Sequence, residues 1–244
     1  MGVILQIKNL TKRFSGLTAV NDVSFEIERG SLVGLIGPNG AGKTTLFNLI
    51  SGFEKPNAGS IWFDGVNITK FSSSKKVNQG IARTFQIVKP FRFLTCLDNV
   101  IVGCKSPRGK VMSEEVGVDQ LASIILASVG LVDKARIPPI ILPFGDLKRL
   151  EIAKALASNP ELLLLDEPFS GLSHEEQMII VDLIKQLNRE GRTIIIAEHV
   201  LRELMALVPR VLVLHQGKLI AEGPPKEVVN NKSVIEAYLG RGGN

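Results

Sequence analysis

The sequence predicts an α/β fold in which a parallel sheet forms the core, an antiparallel β-subdomain flanks it, and an α-helical subdomain is inserted. Three observations support this. Apolar runs of strand length alternate with helical patterns in both halves of the chain. Near the N-terminus, alternation of apolar and polar residues is typical of half-buried strands. The middle of the chain carries helical patterns and lacks strand signals. We therefore expect a core at about 1–88 and 158–244 and a helical subdomain at about 89–157, all within a single domain.

The first predicted elements are strands. Residues 3–10 and 23–27 alternate between apolar and polar side chains, which predicts the flanking sheet. Residues 31–36 form an apolar run that predicts a buried strand. A further strand is predicted at 59–63, where an Asp-Gly pair ends it in a tight turn.

The insertion and the second half of the core supply the remaining elements. Ser173 and Glu176 have the spacing of a capping box, so a long helix should begin there. Helices are predicted at 95–102, 118–129, 145–157, 174–190 and 200–207, and strands at 162–165, 192–197, 210–215 and 218–222.

Composition bounds the class of protein. The chain has 244 residues, 45% of them hydrophobic and 22% charged, which is ordinary for a folded domain. No uncharged stretch approaches the ~20 residues that a membrane-spanning helix needs. The net charge of +5 is mild, and no basic stripe interleaved with aromatic residues indicates nucleic-acid binding. Cys96 and Cys104 show no metal-ligand pattern, so we expect buried free thiols.

The most informative motif follows the buried strand at 31–36. Glycines let successive backbone N–H groups point at one anion, and the helix that follows adds the positive end of its dipole. Lys43 is expected to reach the β- and γ-phosphates of a nucleotide, and the Thr44 hydroxyl to ligate Mg²⁺. A glycine-rich turn with an unrelated lysine is the alternative, and the strand, helix and lysine together argue against it. The motif consists of Gly37, Pro38, Asn39, Gly40, Ala41, Gly42, Lys43, Thr44 and Thr45.

Two acids end the apolar run at 162–165. Asp166 is predicted to hold Mg²⁺ through its water shell. Glu167 points to a different side and is predicted to orient and deprotonate an attacking water. A pair of surface acids after a core strand is the alternative, which we would prefer in a chain that lacked the phosphate loop.

Two more polar residues are expected near the γ-phosphate. His199 follows the strand predicted at 192–197, so it lies at that edge if this strand neighbours the one that ends at Asp166. Gln86 stands at the junction between the nucleotide core and the helical insertion. There it is placed to touch Mg²⁺ and to report the γ-phosphate to the helices. A structural or surface role is the alternative for both residues.

These residues together resemble the nucleotide-binding subunit of ABC transporters, over essentially the whole chain. The resemblance implies an ATPase that uses ATP and Mg²⁺, with Walker A at 37–45, Walker B at 162–167, the Q-loop at Gln86 and the switch histidine at His199. It also implies that Phe14 stacks on adenine, with Val20 nearby. For Phe14, a core residue after the first strand is the alternative.

Finer features resemble the ATPase subunits of branched-chain amino acid importers. They lie at 82–86, 94–100, 149–157 and 236–240. The resemblance implies transmembrane permease subunits and a second ATPase subunit as partners, at the cytoplasmic face of the inner membrane. ATPases of urea, short-amide and lipopolysaccharide transport share much of the pattern, so they remain alternatives. A regulatory nucleotide-binding module with weak hydrolysis is another.

The family's signature motif is expected at 142–146, where the chain departs from the usual Leu-Ser-Gly-Gly-Gln. Pro143 replaces a serine whose hydroxyl and N–H would contact the γ-phosphate held by the partner subunit, and proline has neither donor. Phe144 is a mild change, and Gly145 is retained. Asp146 is expected to bring a negative charge near that phosphate. The resemblance therefore implies hydrolysis in this chain's own Walker site and a weak signature for its partner, which a heterodimer would fit.

Overall fold

The computed structural model describes residues 2–239. Its N-terminal strands form an antiparallel sheet. Its alternating burial fits the predicted half-buried strands, although the first two strands are longer than expected. The strands are β1 (Val3–Phe14), β2 (Leu17–Glu28), β4 (Ala58–Phe63) and β5 (Val66–Asn67), in the order β2-β1-β4-β5.

A six-stranded sheet forms the core, in the order β10-β9-β3-β8-β7-β6. The five strands from β9 to β6 are parallel, and β10 pairs antiparallel at one edge. Every residue of β3, β7 and β8 is buried, as expected for strands covered on both faces. The bounds are β3 (Leu32–Ile36), β6 (Ile81–Arg83), β7 (Leu162–Asp166), β8 (Thr193–Ala197), β9 (Arg210–His215) and β10 (Lys218–Gly223).

Ten α-helices lie within the described residues, and the capping box of Ser173 and Glu176 at the start of the longest is confirmed. The first half holds α1 (Lys43–Ser51), α2 (Ser73–Gln79), α3 (Cys96–Cys104), α4 (Pro107–Val116) and α5 (Val118–Ser128). The second half holds α6 (Phe144–Leu156), α7 (His174–Arg189), α8 (Leu201–Leu207), α9 (Pro225–Val228) and α10 (Lys232–Leu239), and 3₁₀ turns form at Val132–Lys134 and Pro139–Ile141. Helices α3 to α6 occupy the segment for which helices were predicted.

Several short elements were not predicted. Strands β5 and β6 have two and three residues, too few to show a periodicity. Helix α2 is almost wholly polar and is fixed by its ends, where Ser72 accepts the Lys75 N–H and Gly80 takes a left-handed conformation. Helix α4 begins at a proline after the cap Ser106.

Two apolar clusters cover the two faces of the parallel sheet. One lies between the two sheets and includes Phe47 of α1, and the other lies against α3, α5, α6 and α7. Cys96 and Cys104 are fully buried in the second cluster, as predicted, and burial raises the pKa of each thiol to about 11.

Within residues 2–239, no helix is long and apolar enough to cross a membrane. Met1 and residues 240–244 lie outside the described residues. They include Gly240, the last residue of the segment at 236–240 that resembles importer ATPases.

Candidate active site

The candidate site lies where four neighbouring parallel strands end. Strand β3 leads into the loop at 37–42, β8 into Glu198 and His199, β7 into Glu167, and β6 into Gln86. Because parallel strands end at one edge of a sheet, residues that are far apart in sequence meet there. The position predicted for His199 rested on β7 and β8 being neighbours, and their pairing is confirmed.

Two glycines of the phosphate loop cannot carry a side chain. Gly37 has φ 153°, and a Cβ there would lie 2.1 Å from the carbonyl oxygen of Leu214. Gly42 has φ 106°, and its Cβ would lie 2.3 Å from the carbonyl oxygen of Ala19. The loop therefore fits closely against β9 and β2 because these positions are glycine. Gly42 is also the N-cap of α1 and makes no side-chain cap, so the first N–H groups of α1 remain for an anion.

Lys43 is held against its own loop. Its Nζ donates to the carbonyl oxygens of Gly37 at 2.5 Å and Pro38 at 3.3 Å, and the residue is only 7% exposed. Burial lowers the pKa of Lys43, and the nearby carboxylates of Glu167 and Asp166 oppose that change. The ammonium group thus lies between the loop and the acids at the end of β7.

A cleft of about 880 Å³ opens over the loop. Phe14 is 40% exposed at its wall, with the Lys12 ammonium 4.7 Å from the ring centroid, which fits a stacking surface rather than a core residue. The expectation that Val20 contacts the nucleotide is wrong, because its side chain is fully buried in the core and does not line the cleft. Four residues that line the cleft were not predicted, namely Leu17, Thr18, Ala19 and Gln216.

Three polar side chains meet beside the phosphate loop. Gln86 Nε2 donates to Glu167 Oε2 at 2.8 Å, and His199 Nδ1 lies 3.4 Å from the same oxygen. Glu167 has φ 49°, an uncommon value for a non-glycine residue, and its N–H donates to Ala197 O at 2.8 Å. This backbone conformation turns Glu167 away from the direction of Asp166, so the two acids face different surroundings.

Asp166 faces an arginine that the sequence analysis did not identify as a site residue. Its Oδ2 accepts from Arg83 Nη2 at 2.7 Å, and both side chains are 4% exposed. Burial raises the pKa of Asp166, and the Arg83 guanidinium opposes that rise. Arg83 belongs to the three-residue strand β6, which the sequence does not reveal, so no sequence signal pointed to it.

The oxygen atoms at the cleft suit Mg²⁺, which prefers hard oxygen ligands and is usually bound by a few protein groups together with phosphates. The Thr44 side chain is exposed beside the loop. Gln86 uses its nitrogen toward Glu167, so its amide oxygen remains as a candidate ligand. Asp166 is close behind but engaged with Arg83, which fits the expected contact through water better than direct ligation.

The signature segment shows one feature that differs from expectation. Pro143 is the N-cap of α6 without a side-chain cap, and Phe144 is 44% exposed, which leaves both at the surface end of the helix. Asp146, however, does not project a free negative charge. Its carboxylate is 7% exposed and is paired with both Lys134 and Arg149. These cations compensate its charge within the chain, so the negative charge expected from Asp146 near a partner's phosphate is not a free one.

The chain matches two protein-family models. A family model described as ABC transporter matches residues 20–170, and one described as branched-chain amino acid ATP-binding cassette transporter matches residues 218–244. The high-affinity branched-chain amino acid transport ATP-binding protein LivG of Salmonella typhimurium is 38% identical over 97% of this chain and 98% of its own length.

Solved structures agree with the family models. An ATP-binding cassette of an ABC transporter in its ADP conformation has a TM-score of 0.88 and 30% identity, over 99% of this chain and all of its own. A dimeric cassette in a post-hydrolysis state, bound to ADP and phosphate, has a TM-score of 0.80 and 28% identity, over 91% of this chain and 99% of its own.

Proposed function

The chain belongs to the ATP-binding cassette family of ABC transporters, and we propose that it is the ATP-hydrolysing subunit of an importer of branched-chain amino acids. The cargo is inferred from the relatives and from the C-terminal match at 218–244. The observation that supports hydrolysis here is the cluster of Gln86, Glu167 and His199 beside the phosphate loop.

ATP binding would use the glycine-shaped loop and the start of α1. The loop N–H groups and the α1 dipole would bind the phosphates, while Lys43 would leave its loop carbonyls for the β- and γ-oxygens. Phe14 would stack on the adenine, as its exposed ring at the cleft wall supports.

Hydrolysis would depend on Glu167 as general base. A water in line with the γ-phosphate would lose its proton to Glu167 Oε2, the oxygen that Gln86 and His199 both approach. His199 would hold the carboxylate and contact the γ-phosphate, so the three residues would position the water for in-line attack. Mg²⁺, when bound with ATP, supplies charge neutralisation of the phosphate oxygens, and Thr44, Asp166 and Gln86 are the residues we assign to it.

Pairing with a second ATPase subunit would complete the site. A related cassette forms a dimer that holds ADP and phosphate, which supports the same arrangement here. The segment from Pro143 to Asp146 would then face the partner's nucleotide, with Gly145 and the α6 N-terminus as its remaining favourable features. We keep the proposal of a weak signature on Pro143 alone, because Asp146 is neutralised within the chain.

The weak-signature proposal is tested by Pro143→Ser, which restores a hydroxyl and an N–H at the α6 N-cap. In a mixed dimer, the variant should raise the ATPase rate at the partner's site. An unchanged rate would contradict the proposal. It would also favour a signature that works through the backbone of α6.

Uptake measurements test the cargo. When the gene for this chain is deleted in the organism it comes from, the cells should lose uptake of labelled leucine, isoleucine and valine. The wild-type chain should restore uptake, and Glu167→Gln should not. Normal leucine uptake without the chain, together with loss of urea or short-amide uptake, would favour a related system. If uptake of all these compounds is unchanged, an exporter or a regulatory module is favoured. The substituted signature is the observation that supports a regulatory module.

A further inference from the structure

One face of α6, the helix that begins at the signature segment, carries charged side chains that are buried. Lys148 and Glu151 are 4% and 5% exposed, and Lys154 lies one turn further along. Charged side chains are seldom buried without a specific partner, because removing them from water costs free energy. Their contacts therefore indicate what this face is built to hold.

The Lys148 ammonium bridges two functional segments through their backbone. Its Nζ donates to the carbonyl oxygen of Glu167 at 2.9 Å and to that of Gln86 at 3.2 Å. The same group lies 5.6 Å from the centroid of the Phe144 ring, in the signature segment. Burial lowers the pKa of Lys148, and nearby carboxylates, led by Glu198, oppose this.

The described hydrogen bonds of Glu151 and Lys154 reach the segment after Gln86 and not the end of β7. Glu151 Oε1 accepts the Lys89 N–H at 3.3 Å, and Lys154 Nζ donates to the Lys89 carbonyl at 2.8 Å. These two residues also pair with each other. Among the charged residues on this face of α6, Lys148 is therefore the one whose described hydrogen bonds reach both Gln86 and Glu167.

The hydrogen bond from Lys148 restrains the carbonyl group of Glu167. The N–H of Glu167 donates to Ala197 O, and its carbonyl accepts from Lys148 Nζ at 2.9 Å and from the Ser170 N–H at 3.4 Å. Its φ of 49° is costly for a residue with a side chain, so bonds on both sides help to maintain it. Since the backbone conformation directs the carboxylate, a change at Lys148 would alter where Oε2 lies relative to Gln86 and His199.

We propose that Lys148 is a positioning residue that links the signature helix α6 to Gln86 and Glu167, so that the placement of the general base depends on the placement of α6. The proposal rests on the role assigned above to Glu167. Through it, a partner's nucleotide that contacts the α6 N-terminus would influence hydrolysis in this chain's own site.

The experiment compares Lys148→Met, Lys148→Arg and the control Lys154→Met in the full chain. Lys148→Met keeps much of the side-chain volume but removes the donors, and it should lower kcat by about tenfold or more with KM for ATP within about twofold. Lys148→Arg retains donors and should recover most of that loss. Lys154→Met, which leaves the Glu167 carbonyl bonded, should retain kcat within about threefold. If Lys148→Met fails to fold in a thermal melt, Lys148→Leu, which also lacks donors, takes its place with the same expectation.

A second comparison separates this proposal from the assignment of the base. In a Glu167→Gln background, Lys148→Met should leave the residual single-turnover rate unchanged within about twofold, because residues that act as a unit are not additive. Equal losses in Lys148→Met and Lys154→Met, or a raised KM with unchanged kcat, would overturn the role of Lys148. A further large loss in the Glu167→Gln background would do so as well. Normal turnover by Glu167→Gln alone would instead refute the assignment of the base.

Discussion

The fit of Gly42 against β2 yields a prediction with an internal control. In Gly42→Ala the new Cβ would lie 2.3 Å from Ala19 O, where ordinary contact begins at 3.4 Å, so the loop or the strand must shift by about 1 Å. Gly40→Ala also places a side chain at a positive φ, since φ is 79° at Gly40 and 106° at Gly42. The Cβ at position 40, however, would meet nothing within 4 Å. The pair therefore separates steric overlap from backbone strain.

The magnitudes follow from these two terms. A side chain at positive φ costs roughly 1–2 kcal/mol, which both variants should lose. Overpacking should cost Gly42→Ala about 1–3 kcal/mol more. Because Ala19 and the loop N–H groups line the same cleft, a shift of this size should also raise the Kd for ATP at least about tenfold, the loss of roughly one charged hydrogen bond.

Urea unfolding and titration with a fluorescent ATP analogue measure the two effects. Gly42→Ala should fall below Gly40→Ala in both stability and affinity. Equal losses in the two variants would refute the reasoning, since they would leave the close approach to Ala19 without a consequence.

Three further predictions concern the buried charged groups of Asp146 and Lys76 and the exposed ring of Phe14. Asp146→Asn should lower the free energy of unfolding by roughly 3 kcal/mol in urea, because Lys134 and Arg149 lose a buried partner. Although burial acts against it, these two cations hold the pKa of Asp146 below its usual 3.8, so this stabilisation should disappear as pH falls below that value. Burial lowers the pKa of Lys76 from 10.5 to about 8. Between about pH 8 and pH 10.5, the Lys76 amine is therefore protonated in the unfolded chain and neutral in the folded chain. Stability should therefore rise with pH across that window, and the difference from Lys76→Met in urea titrations should show it. Phe14→Ala should weaken ATP binding by ~1–3 kcal/mol without destabilising the fold, as calorimetric titration would measure.

The sequence was most informative where function depends on adjacent residues. The loop at 37–45 is one continuous motif, so the sequence shows all of it. The contacts that require glycine at 37 and 42 come from β9 and β2 and are seen only in the structure. The apolar runs of β3, β7 and β8 are buried on both faces, which made their strand character visible. Glu167 and His199 follow β7 and β8, so they could be grouped on the condition that these strands are neighbours. Gln86 was grouped with them by its position at the junction with the helical insertion.

Predictions failed where packing and the direction of a side chain decide its contacts. Nothing near Asp146 in sequence indicates that Lys134 would reach it from a 3₁₀ turn. Val20 lies close to the cleft along the chain, but the pleat of β2 directs its side chain into the core. The sequence gives no sign of the role of Lys148, because its two carbonyl partners lie in other segments of the chain, after β6 and after β7.

The most direct test of the account is the Mg²⁺-dependent ATPase rate of the purified chain as a function of its own concentration, with Glu167→Gln as the matched control. The account predicts a rate that rises faster than linearly, because two copies of the chain must pair. This activity should be absent in Glu167→Gln although the variant still binds ATP. Turnover by Glu167→Gln at the wild-type rate would contradict the central claim that Glu167, held between Gln86 and His199, is the general base.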